Sequence, residues 1–133
     1  MGYYSFFTFS ILEKAQVDMR KKKEVEDFFL NKDNEGIYGF YGVKLETTKD
    51  GMLKNIEVED DNNKFYDSRL FAQELAGVLI EGSIILHFAG EDGAFWGFLV
   101  EAGAVRELIP VYVTEQELEK IKPLLSGIRI VPT

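Results

Sequence analysis

The sequence predicts an α+β fold, in which a mainly antiparallel sheet of about five to seven strands packs against two main helices and a short third helix. Short segments of alternating apolar and polar residues, separated by glycine turns, are typical of antiparallel strands. Two charged segments instead place their apolar residues at helical spacing. The 133 residues, 46% of them hydrophobic, suffice for one core, and no repeat or linker divides them. We therefore expect a single domain over residues 1–133.

The first segments predict a strand followed by a helix. Residues 3–12 are rich in aromatic rings, with Ser5, Thr8 and Ser10 interspersed. Both faces of this strand carry rings, so we expect it to lie centrally in the sheet. In the charged segment that follows, Val25, Phe28 and Phe29 share one helical face, and the turn residues after Asn31 end the helix.

Charge decides which partners the sequence favours. Arg20 to Lys23 form a basic run of the kind that contacts nucleic acids, but Glu24, Glu26 and Asp27 surround it and favour a solvated helix face. Over the whole chain 23 acidic residues outweigh 15 basic ones, for a net charge of -8. Direct binding to nucleic-acid phosphates is therefore disfavoured. The acidic surface suits solubility, or a partner protein with a basic surface.

A glycine-aromatic stretch precedes a predicted hairpin. Residues 36–42, GIYGFYG, include Tyr38 and Tyr41, whose rings are candidates for stacking on a ligand. The glycine spacing does not match a phosphate-binding loop, so this is a weak signal for binding. Residues 43–58 then alternate around the turn Lys49-Asp50-Gly51, which predicts two strands joined as a hairpin.

An acidic loop and a second helix follow the hairpin. Four carboxylates lie close together in this loop: Glu57, Glu59, Asp60 and Asp61. They offer oxygen ligands for Ca²⁺, but the EF-hand spacing is absent, and a solvated loop is the favoured interpretation. After Tyr66, either Asp67 or Ser68 is expected to cap a helix that ends near Gly82. Its apolar stripe consists of Leu70, Phe71, Leu75, Val78 and Leu79.

Residues from Gly82 to Val113 predict a three-stranded β-meander. The turns are GEDG at 90–93 and Glu101-Ala102-Gly103, and the third strand is expected over 105–111. Pro110 donates no backbone hydrogen bond, so the third strand should lie at an edge or carry a bulge. One face of the first strand is expected to hold Ile84, Leu86 and Phe88, with Ile85 and His87 on the other.

A short helix is predicted after the meander. Thr114 and Glu117 have the spacing of a capping box. Pro123 limits this helix to about two turns. The tail, residues 127–133, is a candidate for a short terminal strand.

The residue types present exclude several chemistries. The chain has no cysteine, so disulfides and thiolate catalysis are excluded, and a single histidine cannot assemble a typical zinc site. His87 would have to carry any histidine-based mechanism, yet its place within an apolar strand favours a packed role. Carboxylates are plentiful, but nothing places two of them across a cleft. We therefore expect a non-enzyme without cofactor or metal.

The expected location is the cytoplasm. The absence of cysteine fits a reducing compartment. The apolar opening is only ten residues long and lacks a basic leader and a cleavage site, so it does not predict a signal peptide. No segment approaches the length of about 20 apolar residues that a membrane helix needs.

Trp96 is the residue whose role would be most informative. As a single tryptophan within a strand, it fits either a core position or a partly exposed anchor beside Glu91 and Asp92. Tryptophan and tyrosine are enriched at interface hot spots.

Two stretches carry a resemblance to a known group of proteins. The chain opens with Met-Gly-Tyr-Tyr and continues to Phe7-Thr8, and later it has Lys64 to Asp67, the acidic turn at 90–93, Trp96 and the turn at Ala102-Gly103. In this it resembles small uncharacterised phage and prophage proteins that begin Met-Gly-Tyr-Tyr-x-x-Phe/Tyr-Thr. Phe65 replaces the group's tryptophan, and Gly97 replaces the arginine that follows Trp96. The resemblance implies a phage-type origin and a shared scaffold, with no assigned activity.

Three functions stay open at this point. The first is a phage accessory protein that binds and inhibits a host factor, such as a defence nuclease or its complex, through an acidic and aromatic surface. The second is a protein that binds or sequesters a nucleotide signal through the rings of residues 36–42. The third is a self-associating structural protein, in the simplest case a homodimer. The candidate binding residues are Glu91, Asp92, Trp96, Tyr66, Asp60, Asp61, Tyr38 and Tyr41.

Overall fold

The computed structural model describes residues 5–30, 42–59, 67–110 and 113–121, and within these ranges it confirms the α+β class. Three helices and six strands lie within the described ranges. They are β1 (Ser5–Val17), α1 (Met19–Leu30), β2 (Gly42–Thr47), β3 (Leu53–Glu59), α2 (Ser68–Ala76), β4 (Leu79–Gly90), β5 (Phe95–Glu101), β6 (Ala104–Leu108) and α3 (Glu115–Ile121).

The strands form two antiparallel sheets rather than one. The larger sheet has the order β1-β4-β5-β6, so that β4, β5 and β6 make the predicted meander and β1 pairs with β4. The smaller sheet is the β2-β3 hairpin. Cross-strand register brings aromatic and aliphatic residues into rows on one face of the larger sheet, which we call the inner face. Its rows are Phe7, Phe88 and Trp96, then Phe9, Leu86 and Phe98, then Ile11, Ile84 and Val100.

The second helix packs on this inner face, and α1, which packs on β2, contacts α2 through an aromatic pair. Phe71 of α2 is fully buried, and its ring lies 5.7 Å from that of Phe7 and 5.8 Å from that of Phe29 on α1, both in edge-on contacts. Such pairs stabilise a fold beyond the apolar area that they bury. The described elements therefore share one hydrophobic core, which extends from the inner face of the larger sheet to the buried side of the β2-β3 hairpin.

The hairpin is attached to the rest of the fold through its turn and through α1. The backbone N–H of Val17 donates to the carbonyl of Gly51 at 2.8 Å, and the side chain of Gln16 bonds to the carbonyl of Asp50. On the other side, Glu26 of α1 accepts a hydrogen bond from the backbone N–H of Leu45 at 2.8 Å. This bond satisfies a donor on β2 that would otherwise need another acceptor.

The expected central position of the first strand was wrong for the described sheet, in which β1 lies at an edge and β4 is flanked on both sides. The strand is also longer than predicted, because it continues to Val17. Its inward rings, Phe7 and Phe9, pack against the core on one face only, while Thr8 on the other face is exposed. At Phe7 and Phe9 the aromatic rings therefore reflect packing on the inner face of the sheet.

The second helix ends earlier than predicted. It stops at Ala76, and the backbone N–H of Gly77 bonds back to the carbonyl of Gln73 at 3.1 Å. Val78 is buried outside the helix, and its carbonyl accepts a hydrogen bond from the backbone N–H of Asp18 at 2.9 Å. Gly82, expected as the helix end, instead lies within β4 with a φ of +88°.

Two further expectations about burial and length need correction. Phe28, predicted to face inward with Val25 and Phe29, is 37% exposed, although its ring contacts that of Phe29 at 5.1 Å. The third strand of the meander ends at Leu108, and Ile109 is 82% exposed. A short strand at the edge of a sheet has fewer neighbours to bury its end, and Pro110 adds no donor to extend the pairing.

The predicted turns and the last helix are confirmed. Positive φ angles occur at Gly51, Gly93 and Gly103, one in each of the three predicted hairpin turns. The Thr114 hydroxyl accepts from the backbone N–H of Glu117 at 3.1 Å, which is one half of a capping box. The tail at 127–133 lies outside the described residues. None of the helices in the described ranges is long and apolar enough to cross a membrane.

Candidate functional site at the tip of the β4–β5 hairpin

The tip of the β4–β5 hairpin presents two acidic side chains on a hydrogen-bonded turn. The backbone N–H of Gly90 donates to the carbonyl of Ala94 at 2.8 Å, and that of Gly93 donates to the carbonyl of Gly90 at 3.0 Å. Glu91 and Asp92 are both exposed in this turn. The positive φ of Gly93, 86°, is a conformation that residues with a side chain rarely adopt.

Asp92 has a structural role in addition to its charge. Its carboxylate Oδ1 accepts a hydrogen bond from the backbone N–H of Ala94 at 3.0 Å, an arrangement in which an aspartate side chain fixes its own turn. No such hydrogen bond is described for the Glu91 carboxylate, and its side chain is exposed. Of the two acidic residues, Glu91 is therefore the one that can be changed with less effect on the turn.

Phe95 and Trp96 begin β5 on opposite faces of the sheet. Phe95 is 53% exposed on the outer face, opposite Ala89 of β4. Trp96 points to the inner face and is half-buried, with its ring stacked on that of Phe88 at 5.5 Å and an interplanar angle of 9°. Successive residues of a strand alternate between the two faces of a sheet. One aromatic side chain therefore lies on each face of the sheet next to the acidic turn.

A hydrogen bond to the second helix further fixes the position of Trp96. Its indole Nε1–H donates to the hydroxyl of Ser68 at 3.0 Å. The neighbouring residue, Arg69, forms an ion pair with Glu107 at 2.8 Å, and its guanidinium lies 5.9 Å from the centre of the Phe98 ring. Both partners of this ion pair are more than half exposed, so it contributes little to stability. Trp96 thus packs against the core while part of its surface stays accessible, and its role as a binding anchor stays a prediction.

His87 lies on the outer face of β4, the face that also carries Phe95. Its register neighbours are Thr8 on β1 and Gly97 on β5, and its Nε2 atom is buried. In the part of the chain that the structure describes, no three histidine, cysteine, aspartate or glutamate side chains converge as metal ligands would.

The other acidic and aromatic residues considered from the sequence lie on the β2-β3 hairpin or outside the described residues. Glu57 is exposed on the β2-β3 hairpin, opposite Lys44, and so does not join the β4–β5 tip. Five candidates lie outside the described residues: Tyr38, Tyr41, Asp60, Asp61 and Tyr66. The structure therefore brings together Glu91, Asp92 and Trp96 of the residues predicted from the sequence.

Sequence reasoning missed two members of this site. Phe95 was not among the candidate residues, and its exposure was not predicted. The available signal was its position in the sequence, shortly after the acidic turn and next to Trp96. Ser68 was considered only as a helix cap. The cap is in fact Asp67, whose carboxylate accepts from the backbone N–H of Leu70 at 3.0 Å, which leaves the Ser68 hydroxyl to accept from Trp96.

A small void in the core offers no alternative site. It is lined only by apolar side chains of the hairpin, α2 and the adjoining strands, without a polar group to orient a ligand. The lining residues are Val17, Leu45, Leu53, Ile56, Leu75, Val78, Leu79 and Ile84.

Comparisons with known proteins define neither a family nor an activity for this chain. No protein-family model, no curated protein and no solved structure matches it. The resemblance to small phage proteins therefore stays a prediction from the sequence.

Proposed function

We propose that this chain is a non-enzymatic, phage-type accessory protein that binds and inhibits a host protein, such as a defence nuclease or its complex, by contacting a basic surface of that protein. The observation that carries the proposal is the tip of the β4–β5 hairpin, where Glu91 and Asp92 are exposed beside the exposed ring of Phe95. The tip combines charge for attraction with an aromatic side chain for close contact.

Electrostatics supports a basic partner. The net charge of -8 attracts a positively charged surface, and complementary charge raises association rates most strongly at low ionic strength. A groove that normally binds nucleic acid presents such a surface. The acidic tip would then occupy part of the space that phosphates otherwise fill.

The local geometry supports binding through a preorganised tip. The turn is held by the Asp92 side chain and by two backbone hydrogen bonds, and Trp96 is fixed between Phe88 and Ser68. A tip that is already ordered loses less conformational entropy when it binds. Phe95, more than half exposed, is then available as the aromatic anchor of the contact.

The experiment is capture of partners from a bacterial lysate at physiological salt, using the immobilised chain and a Glu91→Lys/Phe95→Ala variant. Glu46→Lys is the control for the charge change, because Glu46 is also exposed but lies on the β2-β3 hairpin. We expect the wild type and the control to retain the same protein, and the tip variant to lose most of it. Failure of the wild type to retain any partner, or equal retention by the tip variant, would contradict the proposal.

The two alternative functions stay predictions, and each has its own test. Nucleotide binding depends on residues 36–42, of which only Gly42 is described; nucleotides should raise the melting temperature if this function is right. Self-association predicts a mass above that of the 15.2 kDa chain in light scattering. A clean monomer across the accessible concentration range would exclude a stable homodimer.

A further inference from the structure

No further inference is drawn: the strongest candidate, the outer face of the four-stranded sheet around His87, is a largely apolar surface for which nothing in the structure shows what covers it.

Discussion

Replacing Gly82 by alanine tests the register between β1 and β4, on which the inner face of the larger sheet depends. Gly82 has a φ of +88°, and a Cβ at this position would lie 1.9 Å from the backbone carbonyl oxygen of Lys14. Ordinary contacts of a Cβ atom begin at 3.4 Å. One of the two backbones must therefore move, in a region where the pairing of β1 with β4 already shifts register.

The expected cost has two parts. The left-handed backbone conformation costs an alanine about 1–2 kcal/mol. Forcing extra atoms into a packed site typically costs about 1–3 kcal/mol more, here because backbone rather than a flexible side chain must yield. The sum, roughly 2–5 kcal/mol, is a large share of the total stability of about 5–15 kcal/mol that is usual for a domain.

Gly93→Ala is the matched control for this substitution. Its φ of +86° is nearly the same, but a Cβ there would meet nothing within 4 Å. We therefore expect Gly93→Ala to cost only the conformational part, about 1–2 kcal/mol. Urea denaturation followed by circular dichroism measures both values, and a shift in the midpoint at constant slope reports stability. If Gly82→Ala is no more destabilising than Gly93→Ala, the close approach of β4 to Lys14 is wrong.

Three further predictions concern the core and the site. A double-mutant cycle of Trp96→Phe and Ser68→Ala, measured by urea denaturation, should give a coupling energy of about 0.5–1.5 kcal/mol, the usual net value of a hydrogen bond. If the two substitutions are instead additive, the indole N–H does not bind the Ser68 hydroxyl. Phe71→Ala should cost about 3–5 kcal/mol of unfolding free energy, because it empties the point where rings from both long helices meet, and a loss below about 1 kcal/mol would refute that packing. Glu26→Ala should lower the free energy of unfolding by about 1–3 kcal/mol, because the backbone N–H of Leu45 on β2 loses its acceptor. Glu24→Ala, at an exposed position of the same helix, should lower it by less than about 0.5 kcal/mol, and equal losses would contradict the attachment of the hairpin to α1.

The features that were predictable from the sequence are those that depend on neighbouring residues. Gly51, Gly93 and Gly103 each lie in a turn that requires a positive φ, and their flanking alternation places strands on both sides. Thr114 and Glu117 similarly define the start of α3 over a span of three residues. In these cases the local backbone preference and the final structure agree, so no tertiary contact was needed to identify them.

The end of α2 could not be identified in the same way. Val78 and Leu79 continue the apolar spacing of the helix, but short apolar runs fit a buried strand equally well. The decision depends on a distant segment, because Asp18 donates its backbone N–H to the carbonyl of Val78, and Gly82 allows β4 to pass close to Lys14. Neither contact can be predicted from the residues that neighbour it in the sequence, because each joins segments that are far apart along the chain.

The candidate site likewise has one part that follows from neighbouring residues and one part that depends on tertiary packing. Glu91, Asp92 and Trp96 were predicted together because a hairpin places residues on either side of its turn close to one another. The bond from Trp96 to Ser68 joins residues 28 positions apart and depends on the packing of α2 across the sheet. A sequence therefore indicates which residues share the tip, whereas the partner that orients the indole depends on tertiary packing.

The burial of Trp96 changes how an effect of its substitution on binding should be interpreted. Its ring stacks on Phe88 and its only N–H donor is engaged by Ser68, so less of its surface is available to a partner than that of Phe95. Loss of binding in Trp96→Phe would therefore arise mainly from a displaced tip, and should be accompanied by reduced stability. Phe95→Ala, at a position already 53% exposed, should weaken binding with little change in stability. If the proposed function is right, these two variants distinguish an effect on the order of the tip, at Trp96, from an effect on contact with a partner, at Phe95.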